Sequence, residues 1–235
     1  MTPPATLNLL CAGAAQGLVK ALQDRFHAET GAALQARFGA VGAMKEALLA
    51  GEPCDVMVVT AAMVDALAEE GLLRADTRAA LGRVRTGVAV RADDAAPDVA
   101  TPEALRHALR AADAVFFPDA ERSTAGIHFA GVLRQLGLWD ELQGRLRTYP
   151  NGATAMRELG ASTAARPIGC TQVTEIRYTA GIRLVAVLPS QFELATVYTA
   201  AVTATARAPE LAARFVALLA GAEALPLRAA GGFEP

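Results

Sequence analysis

An apolar run begins at Leu7, passes through Cys11 and the small-residue turn Ala12-Gly13-Ala14-Ala15, and then recurs at helical spacing as far as Leu22. A near-continuous apolar run predicts a strand buried on both faces, and the change to a 3.6-residue period predicts a helix opening at its end. The next segment repeats the arrangement. Ala36 to Phe38 reads as a strand, Gly39-Ala40-Val41-Gly42-Ala43 as a tight turn, and Met44 to Leu49 as the start of a helix. Cys54 to Thr60 is a β-branched run, Ala61 to Leu72 is helical in period with Gly71 near its end, and Val84 to Val90 is another strand. Strands separated by helices imply a parallel sheet.

The pattern then changes. Arg91 to Asp98 is polar and contains Pro97, which predicts a loop; Thr101-Pro102 supplies an N-cap and a first helical residue for a helix to about Ala111. A second α/β set follows. Ala114 to Phe117 is a short strand, Ser123-Thr124-Ala125-Gly126 a small-residue turn, and Ile127 to Leu136 a helix. Leu146 to Tyr149, Pro167 to Cys170 and Leu184 to Leu188 are strands, with a helix at Ala153 to Leu159. Thr196 to Thr205 is a Val, Thr and Tyr strand, Pro209 to Leu219 a helix, and the Gly-rich tail from Ala229 is expected to be loosely held.

The chain of 235 residues is long enough for one or two domains. No apolar run approaches the ~20 residues of a membrane span, so no membrane insertion is expected. The net charge of −2, with Lys and Arg scattered, argues against a nucleic-acid partner. Cys11, Cys54 and Cys170 are far apart and outside any C-x-x-C pair, which argues against a disulfide framework or a zinc site. The first core strand follows Met1 closely, and Thr2-Pro3-Pro4-Ala5 reads as natural leader. The expected location is cytoplasmic for the chain as given, and periplasmic if a signal peptide was removed.

The small-residue turns carry the candidate chemistry. A helix N-terminus offers unpaired N–H groups and partial positive charge, and residues without bulky side chains let a ligand reach the backbone. Ala14, Ala15 and Gln16 at the first turn, Val41, Gly42 and Ala43 at the second, and Arg122, Ser123, Thr124 and Ala125 at the third therefore form a candidate anion site. Cys170, Thr171 and Gln172 join them from the end of a later strand. The mixture of amide, hydroxyl, guanidinium and imidazole suits a small organic acid, because Arg pairs bidentately with a carboxylate. His128 and Glu175 are the candidate bases. Each also has a plainer reading: His128 caps a half-buried face, Glu175 is a first-turn carboxylate favoured by the helix dipole, and the cysteines are small buried hydrophobes. No P-loop, G-x-G-x-x-G turn or metal cluster occurs in the sequence, so no cofactor is expected.

The order of the units CAGAAQGL, FGAVGAM, LAGEPCDVMVVT, STAGIHFAGVLRQLGL, PIGCTQVTEI and ATVYTAAVTA resembles the type II periplasmic solute-binding fold, in its molybdate-binding-protein-like branch. The likeness covers nearly the whole chain, and LAGEPCDV is its most specific part. It implies two α/β lobes, each a mostly parallel sheet flanked by helices, joined by two crossing strands with a ligand in the cleft. Lobe one would be residues 1–83 and 194–235, lobe two residues 84–193. Molybdate-binding relatives place serine hydroxyls in the first two turns and a tyrosine in the late strand turn; here those positions hold Ala14, Ala40 or Val41, and Thr171. Each missing charge-assisted hydrogen bond is worth about 1.5–3 kcal/mol, which disfavours molybdate. The resemblance implies a binding protein for a small anionic ligand, here a di- or tricarboxylate, with a transporter partner only if exported. Some relatives instead isomerise unsaturated polycarboxylic acids such as aconitate, and a ligand sensor is the third reading.

Overall fold

A computed structural model describes residues 5–235 of the chain. The leader reading of Thr2-Pro3-Pro4 lies outside the described residues. In chain order, the apolar runs become β1 (Thr6–Ala12), β2 (Ala33–Gly39) and β3 (Val56–Thr60), each followed by a helix: α1 (Gln16–Thr30), α2 (Val41–Leu49) and α3 (Ala61–Glu69). There follow β4 (Ala79–Arg91), α4 (Pro102–Ala111), β5 (Ala114–Pro118), α5 (Thr124–Gln135), β6 (Leu146–Tyr149), α6 (Gly152–Ala161), β7 (Pro167–Gln172), α7 (Val173–Tyr178) and β8 (Ile182–Val187). The chain ends with β9 (Ala195–Val202), α8 (Pro209–Ala220) and α9 (Leu225–Gly231). Two units result, one of residues 5–83 with Thr196–Pro235, the other Val84–Ala195.

In the first unit β2, β1 and β3 are parallel and β9 runs antiparallel to β3. β1 and β3 are buried nearly throughout, which is why their sequences are continuous apolar runs rather than alternating ones. Phe26 of α1 packs edge-on against Phe215 of α8 at 4.9 Å between ring centroids. The LAGEPCDV motif is structural here. Gly51 takes the left-handed conformation (φ 80°) that ends α2, and the buried Asp55 carboxylate accepts from Asn8 N and Nδ2 and from Arg207 N. One side chain thereby fixes the entry to β3 against β1 and against the turn after β9.

The tail is not loosely held. α9 forms there, and the buried Arg228 guanidinium donates to the carbonyls of Leu219 (2.7 Å) and Gly221 (3.0 Å). Phe233 is buried, and Arg83 and Glu234 exchange two backbone hydrogen bonds of 2.7 Å. Gly82 sits at φ 131°, and a Cβ there would lie 2.7 Å from the Glu234 carbonyl. Gly-rich composition weakens local preference, but these partners supply what the sequence lacks.

In the second unit β7, β5 and β6 are parallel, while β4 pairs antiparallel with both β7 and β8. One face of this sheet packs Val88, Cys170 and Ile168 with Phe117, Phe129 and Leu133. The other packs Ala89 and Phe116 with Met156, Leu159 and Ile176. α2 and α5 each begin about three residues before the expected start, because the small residues read as turns already form the first helical turn.

Candidate functional site

In the first unit, β1 and β2 lie in register with Ala12 opposite Gly39, so α1 and α2 open side by side at one end of the sheet. Neither helix has a side-chain cap. α3 does: the Thr60 hydroxyl accepts from Met63 N at 3.3 Å. The residues at the two uncapped ends are bare of donors. Ala14, Ala15 and Val41 are buried, Gly42 and Ala43 half-buried, and only Gln16 brings a polar side chain. What these turns can offer an anion is backbone N–H and the helix dipole.

In the second unit, Pro118 lies opposite Tyr149 and Phe116 opposite Gly169, so α5, α6 and α7 also open at one end of their sheet. α6 is closed to ligands. Asn151 caps it, accepting from Thr154 N at 2.8 Å, and the buried Glu175 carboxyl accepts from the backbone N–H groups of Gly152, Ala153 and Gln172. The Thr171 hydroxyl donates to Glu175 Oε2 at 2.6 Å. A Cβ on Gly152 would lie 2.0 Å from both Glu175 Oε2 and Thr171 Oγ1, so glycine is required. Burial raises the Glu175 pKa above the usual carboxyl range, and the four hydrogen bonds only partly oppose that shift. Glu175 stands in the first turn of α7, as its spacing predicts, yet the helix end it neutralises is that of α6.

α5 is open by contrast. Ser123 is buried at its N-cap position but its side chain makes no cap. The first turn lies hard against the end of β5, since a Cβ on Gly126 would meet the Asp119 carbonyl at 2.0 Å. One turn in, half-buried His128 places Nε2 2.7 Å from the Phe192 carbonyl. A carbonyl only accepts, so Nε2 carries the hydrogen, and in the neutral ring Nδ1 is left to take a proton. Arg122 lies in the exposed loop, its backbone N–H bound to Asp119 Oδ1 at 3.0 Å.

Four buried polar atoms of this unit have no hydrogen-bond partner: Thr86 Oγ1, Gln172 Nε2 and Oε1, and Thr174 Oγ1. Thr86 and Gln172 are opposed in the β4–β7 ladder and so project from the same side of the sheet. The next rung on that side, Val88 and Cys170, belongs to the apolar cluster beneath α5. Cys170 is thus part of the core and not of the polar group. Burial raises its thiol pKa well above normal; it also raises that of Cys11, and pushes Cys54 up to about 12. None of the three is an activated nucleophile. Thr86 was missed by sequence reasoning. Its signal was a hydroxyl inside a Val-rich buried run.

Among the described residues no three His, Cys, Asp or Glu side chains are grouped to hold a metal, and no helix is long and apolar enough to cross a membrane. A cavity of about 740 Å³, lined by Val90, Pro97, Ala108 and Ile168 among others, lies by the opposite ends of β5 and β7 and includes none of these polar residues.

Comparisons with known proteins bear on the family and the fold. The chain is similar over its length to an aconitate isomerase of Pseudomonas sp., 26% identical over 241 residues that cover 99% of this chain and 89% of the relative. In fold it is similar to the periplasmic molybdate-binding protein of Azotobacter vinelandii, with a TM-score of 0.80 and 19% identity over 97% of this chain and 99% of that one. It is also similar to the sulfate-binding protein SubI of Mycobacterium tuberculosis H37Rv, with a TM-score of 0.75 and 16% identity over 98% and 87%. The family model for bacterial extracellular solute-binding proteins matches residues 7–234. The chain therefore belongs to the bacterial extracellular solute-binding protein family, and has its α/β fold of mixed sheets flanked by helices.

Proposed function

We propose that the protein isomerises a small unsaturated di- or tricarboxylate of the aconitate type. The observation that carries this reading is His128, an imidazole held in one tautomer at the start of a helix whose N-terminus is uncapped. Such a ring can remove a proton from a methylene carbon flanked by an alkene and a carboxylate, using Nδ1. The electron pair shifts, the double bond moves, and the ring, whose N–H exchanges with water, returns a proton to the former vinylic carbon. The transient dienolate charge calls for N–H donors, and the first turn of α5 offers them. Glu175 is better suited to holding α6 in place than to proton transfer, since its carboxyl is occupied by four donors. The activity of the Pseudomonas relative, similar along the whole chain, supports the same reaction class.

The test is proton NMR of cis- and trans-aconitate in heavy water with catalytic protein. Isomerisation with deuterium entering the methylene and vinylic positions is expected. A second reading is a binding protein without catalysis, favoured by membership of a solute-binding family. Stabilisation by the acids with neither exchange nor isomerisation would establish that reading in place of the first. A ligand at 100 times its dissociation constant adds about 2.7 kcal/mol, so a thermal-shift panel that includes molybdate and sulfate separates the ligand classes.

A further inference from the structure

We infer that Thr86, Gln172 and Thr174 form a hydroxyl-recognising subsite, so that the protein binds hydroxylated di- and tricarboxylates more tightly than their deoxy analogues. The inference rests on the polycarboxylate reading and, because aconitate carries no hydroxyl, it follows the binding-protein form of that reading and not the isomerase form. Gln172 is 2% exposed, Thr86 1% and Thr174 5%, and all four of their polar side-chain atoms lack a partner. A buried polar group without a partner is costly and calls for an explanation in a stable protein. The Thr86 backbone offers no relief. Thr86 N already donates to the Leu194 carbonyl, and the Thr86 carbonyl already accepts from Leu188 N, both at 3.1 Å.

The atom inventory selects the ligand chemistry. The Gln172 amide has two N–H donors on Nε2 and an acceptor in Oε1, and each threonine adds a hydroxyl. A bare carboxylate satisfies the donors but has no hydrogen to give Oε1. An alcohol gives one hydrogen and accepts others, so it meets Oε1, Nε2 and a threonine hydroxyl together. A site built to hydrogen-bond an alcohol discriminates strongly against the analogue without it, because the loss strands buried groups.

Citrate and tricarballylate differ only in one hydroxyl, as do malate and succinate, and calorimetry with these four acids is the test. The wild-type protein should bind each hydroxy acid at least about tenfold more tightly than its partner, the equivalent of one hydrogen bond. Gln172→Leu and Thr86→Val should bring both ratios near one, each losing more affinity for the hydroxy acid than for its deoxy partner. Circular dichroism and urea midpoints check that the variants fold. Equal binding of all four acids by the wild type would overturn the subsite and leave the polycarboxylate reading intact. Ratios that persist in both variants would likewise overturn it. Binding of none of the four would overturn both.

Discussion

The two units use one device, a helix opening at the end of a parallel strand, and fit it out differently. In the first, the ends of α1 and α2 are lined by Ala14, Ala15, Val41, Gly42 and Ala43, so backbone N–H is nearly all they present. In the second, the ends of α5, α6 and α7 are crowded with Ser123, Thr124, His128, Thr171, Gln172 and Glu175. Backbone amides attract any anion of suitable size and discriminate little between them. Side chains with fixed tautomers and unpaired acceptors choose among anions. Function should therefore tolerate small-to-small exchange in the first unit and respond sharply to substitution in the second.

His128→Ala is the strongest way to break that contrast. Turnover, read as the rate of deuterium entry into aconitate, should fall by about 10²–10⁴ while affinity for the acid changes little. Full activity in this variant would remove His128 from the reaction. A steric change in the same unit comes next. Gly126→Ala puts a Cβ 2.0 Å from the Asp119 carbonyl, and overpacking against backbone should lower stability by about 1–3 kcal/mol or more in urea unfolding. An unchanged midpoint would show that the turn yields without cost.

In the first unit the test is a gain. Ala14→Ser with Ala40→Ser restores hydroxyl donors at two turns, and should improve molybdate affinity about tenfold or more by calorimetry if those turns can hold an oxyanion. No gain would mean that their backbone amides point elsewhere.

The smallest effect is on pH dependence. Glu175 has a raised folded pKa, so between the ordinary Glu value of about 4.3 and that higher value the folded state holds more protons than the unfolded. Stability contributed by this group is therefore greatest below about pH 4.3 and declines as pH rises through the folded pKa. Glu175→Gln should remove that part of the slope in urea midpoints measured from pH 4 upward. A slope identical to wild type would assign the dependence to other groups.

The alternation of strands and helices was legible because burial on two faces leaves continuous apolar runs and an amphipathic helix leaves a 3.6-residue period. The starts of α2 and α5 were not, because alanine and glycine suit a turn and a first helical turn equally. α9 escaped because its stability comes from Arg228 and Phe233 reaching distant partners, which composition does not register. The same holds for the site. The residue types at the turns could be read, but the partner of His128 is a backbone carbonyl 64 residues away, and no side-chain pattern records it. For Glu175 the sequence indicated proximity to a helix end and left open which helix. The structure supplies α6, through the close approach that Gly152 permits.

The three cysteines, inert in the folded protein, also make it self-reporting. Cys11 and Cys54 lie in the first unit and Cys170 in the second, all buried with thiol pKa values far above neutrality. Alkylation at neutral pH then proceeds only from opened molecules, and the rate at each thiol measures how often its own surroundings come apart. Mass spectrometry of the labelled peptides would time the two units separately in one untagged, unmutated sample.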